Sequence, residues 1–387
     1  MILFLALLAG AGATTTPVDE LRALLARRPR LAASVQYNLR HAPEDYAGTY
    51  GRDLEGLFAF FELWQNAPTV PYSLTVTRQN GPGGPGSPGQ GPSSQIFTSP
   101  MWSLAFGTTN ACWVREPALL RWLATFVRSR GAFMDSRESW NASIEAQWRA
   151  AVNFSEYVIP EEGFPTFNAF FTRQIKKGLR PVEEGADVAV APSDGYALLE
   201  DGDVRPGSNF QLKADALDVA ELLGYHPLSD RFLGGAAVAN ILATTNYHRF
   251  WSPVSGTLVA VEQLGGLYVT YGTGGAVGDH RRAYVIYETP RFGLVAMTLV
   301  GMYDISSIIL DVKVGDNVSK GEEMGRFQYG GSEILTLFER GVFTPDADVR
   351  DARHEYGVRR NVGQRQGLLS PPRRGPPEVL RSHPIIS

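Results

Sequence analysis

Cysteine is almost absent from this chain. One residue, Cys112, in 387 excludes an internal disulfide framework and a cysteine-rich zinc site, and with no paired histidine motif it reads as a packed thiol rather than a nucleophile. No group of residues in the sequence suggests a metal site. Positive charge is not in excess either: the net charge is −4, no basic footprint or nucleic-acid motif occurs, and a nucleic-acid partner is excluded. Histidine is scarce, at six residues, so few side chains can move protons near neutral pH. The apolar stretch at the start, MILFLALLAGAGA (residues 1–13), is too short to span a bilayer as a helix. It resembles a signal peptide ending in Ala-Gly-Ala, although no Lys or Arg precedes it. Localisation therefore stays open between a secretory or membrane-associated route and the cytoplasm. The sequons at Asn141, Asn153 and Asn317 matter only on the first route.

With 44% hydrophobic residues, the chain can bury a substantial core and is expected to form two lobes. From residue 17 to 154, segments such as VDELRALLARRPRL and DLEGLFAFFELWQ repeat apolar residues at helical spacing, which predicts a helical N-terminal lobe. Its aromatic stripe of Phe58, Phe60, Phe61 and Trp64 reads as core. Residues 80–94, NGPGGPGSPGQGPSS, lack a strict three-residue period and read as a disordered loop. A disordered tail is expected over 366–387, where SPPRRGPPE cannot form a packed element.

Between the lobe and the tail the period changes. SSIILDVKVGDNVSKGEEMGRFQYGG alternates apolar and polar residues and is broken at Gly315-Asp316 and Lys320-Gly321, a pattern of short strands joined by tight turns. Together with SPVSGTLVAVEQLGG (252–266) it resembles the two halves of a lipoyl or biotinyl carrier sandwich. A carrier presents a lysine at a hairpin tip, however, and here Gly330-Gly331-Ser332 stands before the strand-like run ILTLF. Glycines allow unusual backbone angles and expose the preceding carbonyl. If the Ser332 hydroxyl attacks the Gly331 carbonyl, the amide becomes an ester. β-Elimination then splits the chain, and hydrolysis of the new terminus leaves a pyruvoyl group. Such a chain would carry its own covalent cofactor.

Four ordered blocks support that chemistry. They are FNAFFTRQIKKGLRPV (167–182), APSDG (191–195), NYHRFWSPVSG (246–256) and GGSE (330–333). In these blocks, over roughly residues 150 to 365, the chain resembles the phosphatidylserine decarboxylase family of pyruvoyl enzymes. Its N-terminal part is similar to the extension of a branch that includes L-tryptophan decarboxylases. The resemblance implies an α+β protein: a helical N-terminal lobe, then a mainly β catalytic domain over 155–365 with a lipoyl/biotinyl-like sandwich element. It implies Ser332 as nucleophile and pyruvoyl precursor, His248 as the histidine of the site, and Asp194 as its carboxylate, arranged as in any Ser-His-Asp system. The β-chain would end at Gly331 and the α-chain begin at Ser332. The pyruvoyl ketone would form a Schiff base with the substrate amine and accept the electrons released with carbon dioxide, and His248 would return a proton.

Two departures bear on this reading. The family pattern has a second histidine three residues after the first, and here that position is Trp251, whose indole cannot act as a base. Either His248 serves both steps, or His280 in VGDHRRAY substitutes as base, or the protein does not mature. The second departure is Glu333, whose carboxylate would disfavour negative charge at the ester-forming step. Arg249 or Lys213 could hold a substrate phosphate or carboxylate, or simply be solvated.

The family implies phosphatidylserine as substrate and phosphatidylethanolamine as product, with peripheral membrane association. The alternatives are decarboxylation of a free aromatic amino acid such as tryptophan, and a non-cleaving homologue that binds a ligand or partner. A homodimer is compatible with the sequence.

Overall fold

The computed structural model describes residues 15–41, 52–68, 71, 117–208, 210–212, 215–265, 281–301, 307–328, 332–352 and 357–372. Residues 1–13, the loop 80–94, Cys112, Lys213, His280 and Gly331 lie outside them, as does the tail from 373. Among the described residues no helix is long and apolar enough to cross a membrane, and no group of side chains is suited to a metal ion.

The N-terminal region is helical, with α1 (Pro17–Arg27), α2 (Pro29–His41), α3 (Leu54–Gln65), α4 (Pro117–Met134) and α5 (Ala142–Ala151). Local chemistry starts these helices. Thr16 caps α1 in a capping box with Asp19, Pro17 occupies the first turn, and Val18, Leu21 and Leu25 form its buried stripe. Asp53 caps α3 by accepting the Gly56 amide. Phe58, Phe60, Phe61 and Trp64 are buried against Trp122 and Phe126, so the aromatic stripe is core, as its spacing predicts. All three sequon asparagines are engaged: Asn141 caps α5 through the amides of Ser143 and Ile144, Asn153 accepts the Ser155 amide, and Asn317 accepts the Thr257 hydroxyl at 2.6 Å.

A second core, almost wholly aromatic, runs from Met134 through Trp140, Trp148 and Phe154 to α6 (Phe167–Phe171), and also takes in Tyr247 and Val362. It links the helical region to the strands that follow. Those are β1 (Val188–Val190), β2 (Gly195–Asp201), β3 (Phe210–Leu212), β4 (Asp215–Leu217), β5 (Ala236–Leu242), β6 (Arg249–Trp251), β7 (Gly256–Leu264) and β8 (Arg282–Glu288). After them come β9 (Leu294–Gly301), β10 (Ile308–Leu310), β11 (Asn317–Val318), β12 (Glu323–Phe327), β13 (Ser332–Phe338), β14 (Phe343–Pro345), β15 (Val358–Arg360) and β16 (Arg365–Leu369).

The centre is an eight-stranded antiparallel sheet in the order β11-β7-β8-β9-β13-β5-β2-β15. Strand β13 is flanked by β5 and β9 along its whole length. The central strands are near-continuous apolar runs because both faces of the sheet are covered. Val238, Met297, Ile334 and Phe338 point into one core, and Ala239, Val300, Leu335 and Leu337 into the other. The protein is thus α+β with a large antiparallel sheet.

The turns expected at Gly315 and Gly321 are present, and both glycines have positive φ. They separate β10, β11 and β12. Strand β12 lies between β10 and β6, and β11 pairs with the first residues of β7.

The expected tail needs correction at its start. Residues 366–369 belong to β16, which lies between β1 and β14, with Gln366 and Leu369 buried. That pairing is non-local, so the Pro- and Arg-rich composition just beyond it obscures the strand.

Candidate active site

Ser332 opens β13 and is 1% exposed. Its register partners are Leu242, the last residue of β5, and Gly301, the last of β9. The chain leaving β5 therefore passes beside the Gly-Ser position, and five residues beyond Ala243 on that segment stands His248.

His248 is fully buried and held from three sides. Its Nε2 lies 3.0 Å from the Ala243 carbonyl oxygen, its own carbonyl accepts the Phe327 amide at 2.8 Å, and its ring stacks on Phe171 with centroids 4.0 Å apart. A carbonyl can only accept, so Nε2 carries a proton and Nδ1 is the basic nitrogen of the neutral ring. Phe327, bonded to His248, and Ser332, paired with Leu242, are joined by residues 328–331 alone, a short tether for an extended chain.

The four sequence blocks interlock around this point. From the first, Arg173 donates to the carbonyls of Thr245 (3.1 Å) and Asn246 (3.0 Å) and lies over the Tyr157 and Phe170 rings. It thereby fixes the backbone leading into His248. Burial lowers its pKa, partly offset by the facing Tyr157. From the third block, Arg249 donates to the Thr172 carbonyl at 2.8 Å and forms an ion pair with Glu323. Its Nε and Nη1 are engaged by the protein, so it ties the third block to the first. Tyr247, beside the histidine, has its pKa raised by burial and by Glu323, so its phenol stays protonated and cannot supply a base at neutral pH.

The second block turns between β1 and β2. A Cβ on Gly195 would run into the Ile241 carbonyl oxygen, so only glycine lets this turn approach β5 so closely. Asp194, 4% exposed, sits in that turn. Its oxygens accept Arg180 Nη2 at 2.7 Å, Arg180 Nε at 3.0 Å and the Val362 amide at 2.9 Å. None of its hydrogen bonds goes to His248. Arg180 also binds Glu156 at 2.9 Å. Burial opposes the Arg180 charge, but the Asp194 and Glu156 carboxylates outweigh it and hold its pKa above the ordinary guanidinium value.

The two departures are clarified by position. The Trp251 amide donates to the Pro192 carbonyl at 2.8 Å, and its indole packs against the aromatic core that contains Tyr247 and Phe171. It joins the second block to the third and gives the site an apolar wall. Glu333 follows Ser332 in an extended strand, so the two side chains project to opposite faces of the sheet. The sequence reading set the Glu333 carboxylate against the developing charge, whereas the strand puts the sheet between them. Glu333→Gln is accordingly expected to leave the rate of chain cleavage unchanged on a denaturing gel; a clear acceleration would show that its charge does reach the site.

Sequence reasoning reached Ser332, His248 and Asp194 but missed Arg173, Arg180, Glu156 and Phe171. The signal available was Arg173 directly after the apolar and aromatic run of Phe167 to Phe171, and Arg180 at the end of the same block.

Residues 167–366 match the model of the phosphatidylserine decarboxylase family. Phosphatidylserine decarboxylase proenzyme 3 of Schizosaccharomyces pombe is 32% identical over 225 residues, covering 56% of this chain and 23% of that protein. The phosphatidylserine decarboxylase proenzyme of Fusobacterium nucleatum is 29% identical over 240 residues, covering 60% of this chain and 79% of the relative. Decarboxylase iboD of Amanita muscaria is 29% identical over 272 residues, covering 58% of this chain and 78% of the relative. The chain belongs to the phosphatidylserine decarboxylase family, whose members are carboxy-lyases.

Proposed function

We propose that this chain is a proenzyme that cleaves itself between Gly331 and Ser332 and then decarboxylates phosphatidylserine to phosphatidylethanolamine and carbon dioxide. The observation that carries the proposal is the placement of Ser332, buried at the head of the central strand, across from the segment whose Ala243 carbonyl fixes His248. The family match and two relatives that are phosphatidylserine decarboxylase proenzymes support the substrate.

The residues present suit a pyruvoyl group. Its precursor serine is shielded from water, so an ester formed there is protected from premature hydrolysis. In cleavage, His248 Nδ1 takes the Ser332 hydroxyl proton as the oxygen attacks the Gly331 carbonyl carbon; the C–N bond breaks, and the amide nitrogen leaves as an amine. Loss of the Ser332 Cα proton expels the Gly331 carboxylate, and water converts the remaining enamine to the ketone with release of ammonia. Once formed, the pyruvoyl group supplies an electron sink for the bond broken in decarboxylation. His248 then has a second task, holding the proton that the product carbon receives. The product chains, ending at Gly331 and beginning at Ser332, stay together because β13 remains hydrogen-bonded to β5 and β9. The pairing of β6 with β12 and of β7 with β11 supports the reading of this region as a lipoyl-like sandwich element.

The test is carbon dioxide release by the cleaved protein from vesicles containing phosphatidylserine, beside free tryptophan in solution. Release from the vesicles alone is expected. Release from tryptophan alone would overturn the substrate, and release from neither would overturn the enzymatic reading.

A further inference from the structure

The carboxylate of the second block has a partner that its sequence context does not suggest. Asp194 lies in the turn before β2, Arg180 closes the first block, and Glu156 lies in the turn after α5. All three lie upstream of the cleavage position. The fourth member, the Val362 amide, lies downstream of it. The Arg180 and Asp194 side chains are 8% and 6% exposed, and the guanidinium grips the carboxylate through two nitrogens. Bidentate pairing fixes orientation as well as distance. Val362 is itself fully buried in the aromatic core containing Phe171, the ring stacked on His248.

We infer that Arg180 is the positioning residue of the site: it holds Asp194 in a clamp that ties the chain before the cleavage point to the chain after it, and Asp194 does not itself orient the His248 imidazole. The inference rests on the self-cleavage reading. Two sets of bonds support it. His248 gives its Nε2 proton to a backbone carbonyl, and Asp194 spends its acceptor sites on Arg180 and Val362. An Asp-His pair needs the imidazole N–H and the carboxylate to meet, and here each is engaged elsewhere. Val362 and Phe171 belong to one buried core, so displacing Val362 disturbs the packing around the ring that stacks on His248. After cleavage the same bond links the two product chains, beside the Ala191–Gln364 and Gly363–Ala191 backbone bonds and the β1–β16 pairing.

The test compares self-cleavage of Asp194→Asn, Arg180→Met, Arg180→Lys and the Arg180→Met/Asp194→Asn double variant across pH 5 to 9, with the unmutated chain beside them and thermal melting of each. Both neutralising single variants are expected to slow cleavage at every pH, about tenfold or more, without moving the pH at which the rate is half-maximal. The double variant should be no slower than the slower single variant, because both break one clamp. Arg180→Lys should recover part of the rate, since charge returns without the fork. A shift of the half-maximal pH in Asp194→Asn, or full activity in Arg180→Met, would overturn the inference, because Asp194 would then act on the histidine or without Arg180. Where a single variant fails to fold, the double variant, which buries no unpaired charge, is read instead and must cleave slowly with an unmoved pH midpoint. If the unmutated chain itself stays whole, the self-cleavage reading fails. The clamp is then judged by melting, where the double variant should lower the midpoint by less than the sum of the two singles, and additive losses would overturn it.

Discussion

Ser332→Ala is expected to abolish cleavage completely, so that the variant runs as one full-length chain under conditions where the unmutated protein gives two. The reason is chemical, because without the hydroxyl no ester forms and the Gly331 amide keeps the ordinary stability of a peptide bond. The fold should survive. Ser332 is small and begins a strand whose pairing with β5 and β9 depends on backbone groups and on Ile334, Leu335, Leu337 and Phe338. The variant should therefore melt close to the unmutated precursor, and a precursor that melts early would indicate a structural rather than a chemical effect. Carbon dioxide release should be lost together with cleavage, since the same atom provides both.

The second large effect is expected at His248. Replacement by Gln keeps a polar side chain that can still donate to the Ala243 carbonyl but provides no base. General-base assistance of this kind is worth roughly 10²- to 10⁴-fold, and cleavage should slow by about that factor. Rates measured from the appearance of the small chain on a gel are sufficient. Normal cleavage by His248→Gln, combined with inactivity of His280→Gln, would move the role to His280 and break the link between the His248 geometry and the reaction.

These expectations depend on features that were unequally visible in the sequence. The helices of the N-terminal region announce themselves through apolar residues at helical spacing. The run from Ile334 to Phe338 reads as a buried strand because it is continuous and follows glycines. Ser332, His248 and Asp194 are legible because each sits in a short block of distinctive residue types. What escaped were relations between blocks. Arg180 meets Asp194 and Glu156, and Asp194 meets Val362, only after the chain has folded back on itself, and no local period records such pairings. The side of the sheet taken by Glu333 follows from strand alternation, but only once Ser332 is known to lie inside the strand rather than in the loop before it. The strand at 365–369 was obscured for the same reason. Its partners, β1 and β14, are distant or separated from it in sequence, while its immediate neighbours are prolines and arginines.

Trp251 is the residue on which the sequence and the structure differ most in emphasis. As a missing histidine it argues against maturation. In the fold its amide holds the second block to the third and its indole lies against the aromatic core, while the buried His248 is held by the Ala243 carbonyl. A single base can serve cleavage and decarboxylation in turn, because the two reactions occur in succession and never in the same molecule at once.

The most direct measurement is the intact mass of the purified, unmutated protein under denaturing conditions. The account predicts two chains, one ending at Gly331 and the other covering residues 332–387 with a pyruvoyl group in place of the serine at its start. A single chain of unaltered mass, or a cut at any other bond, would contradict it.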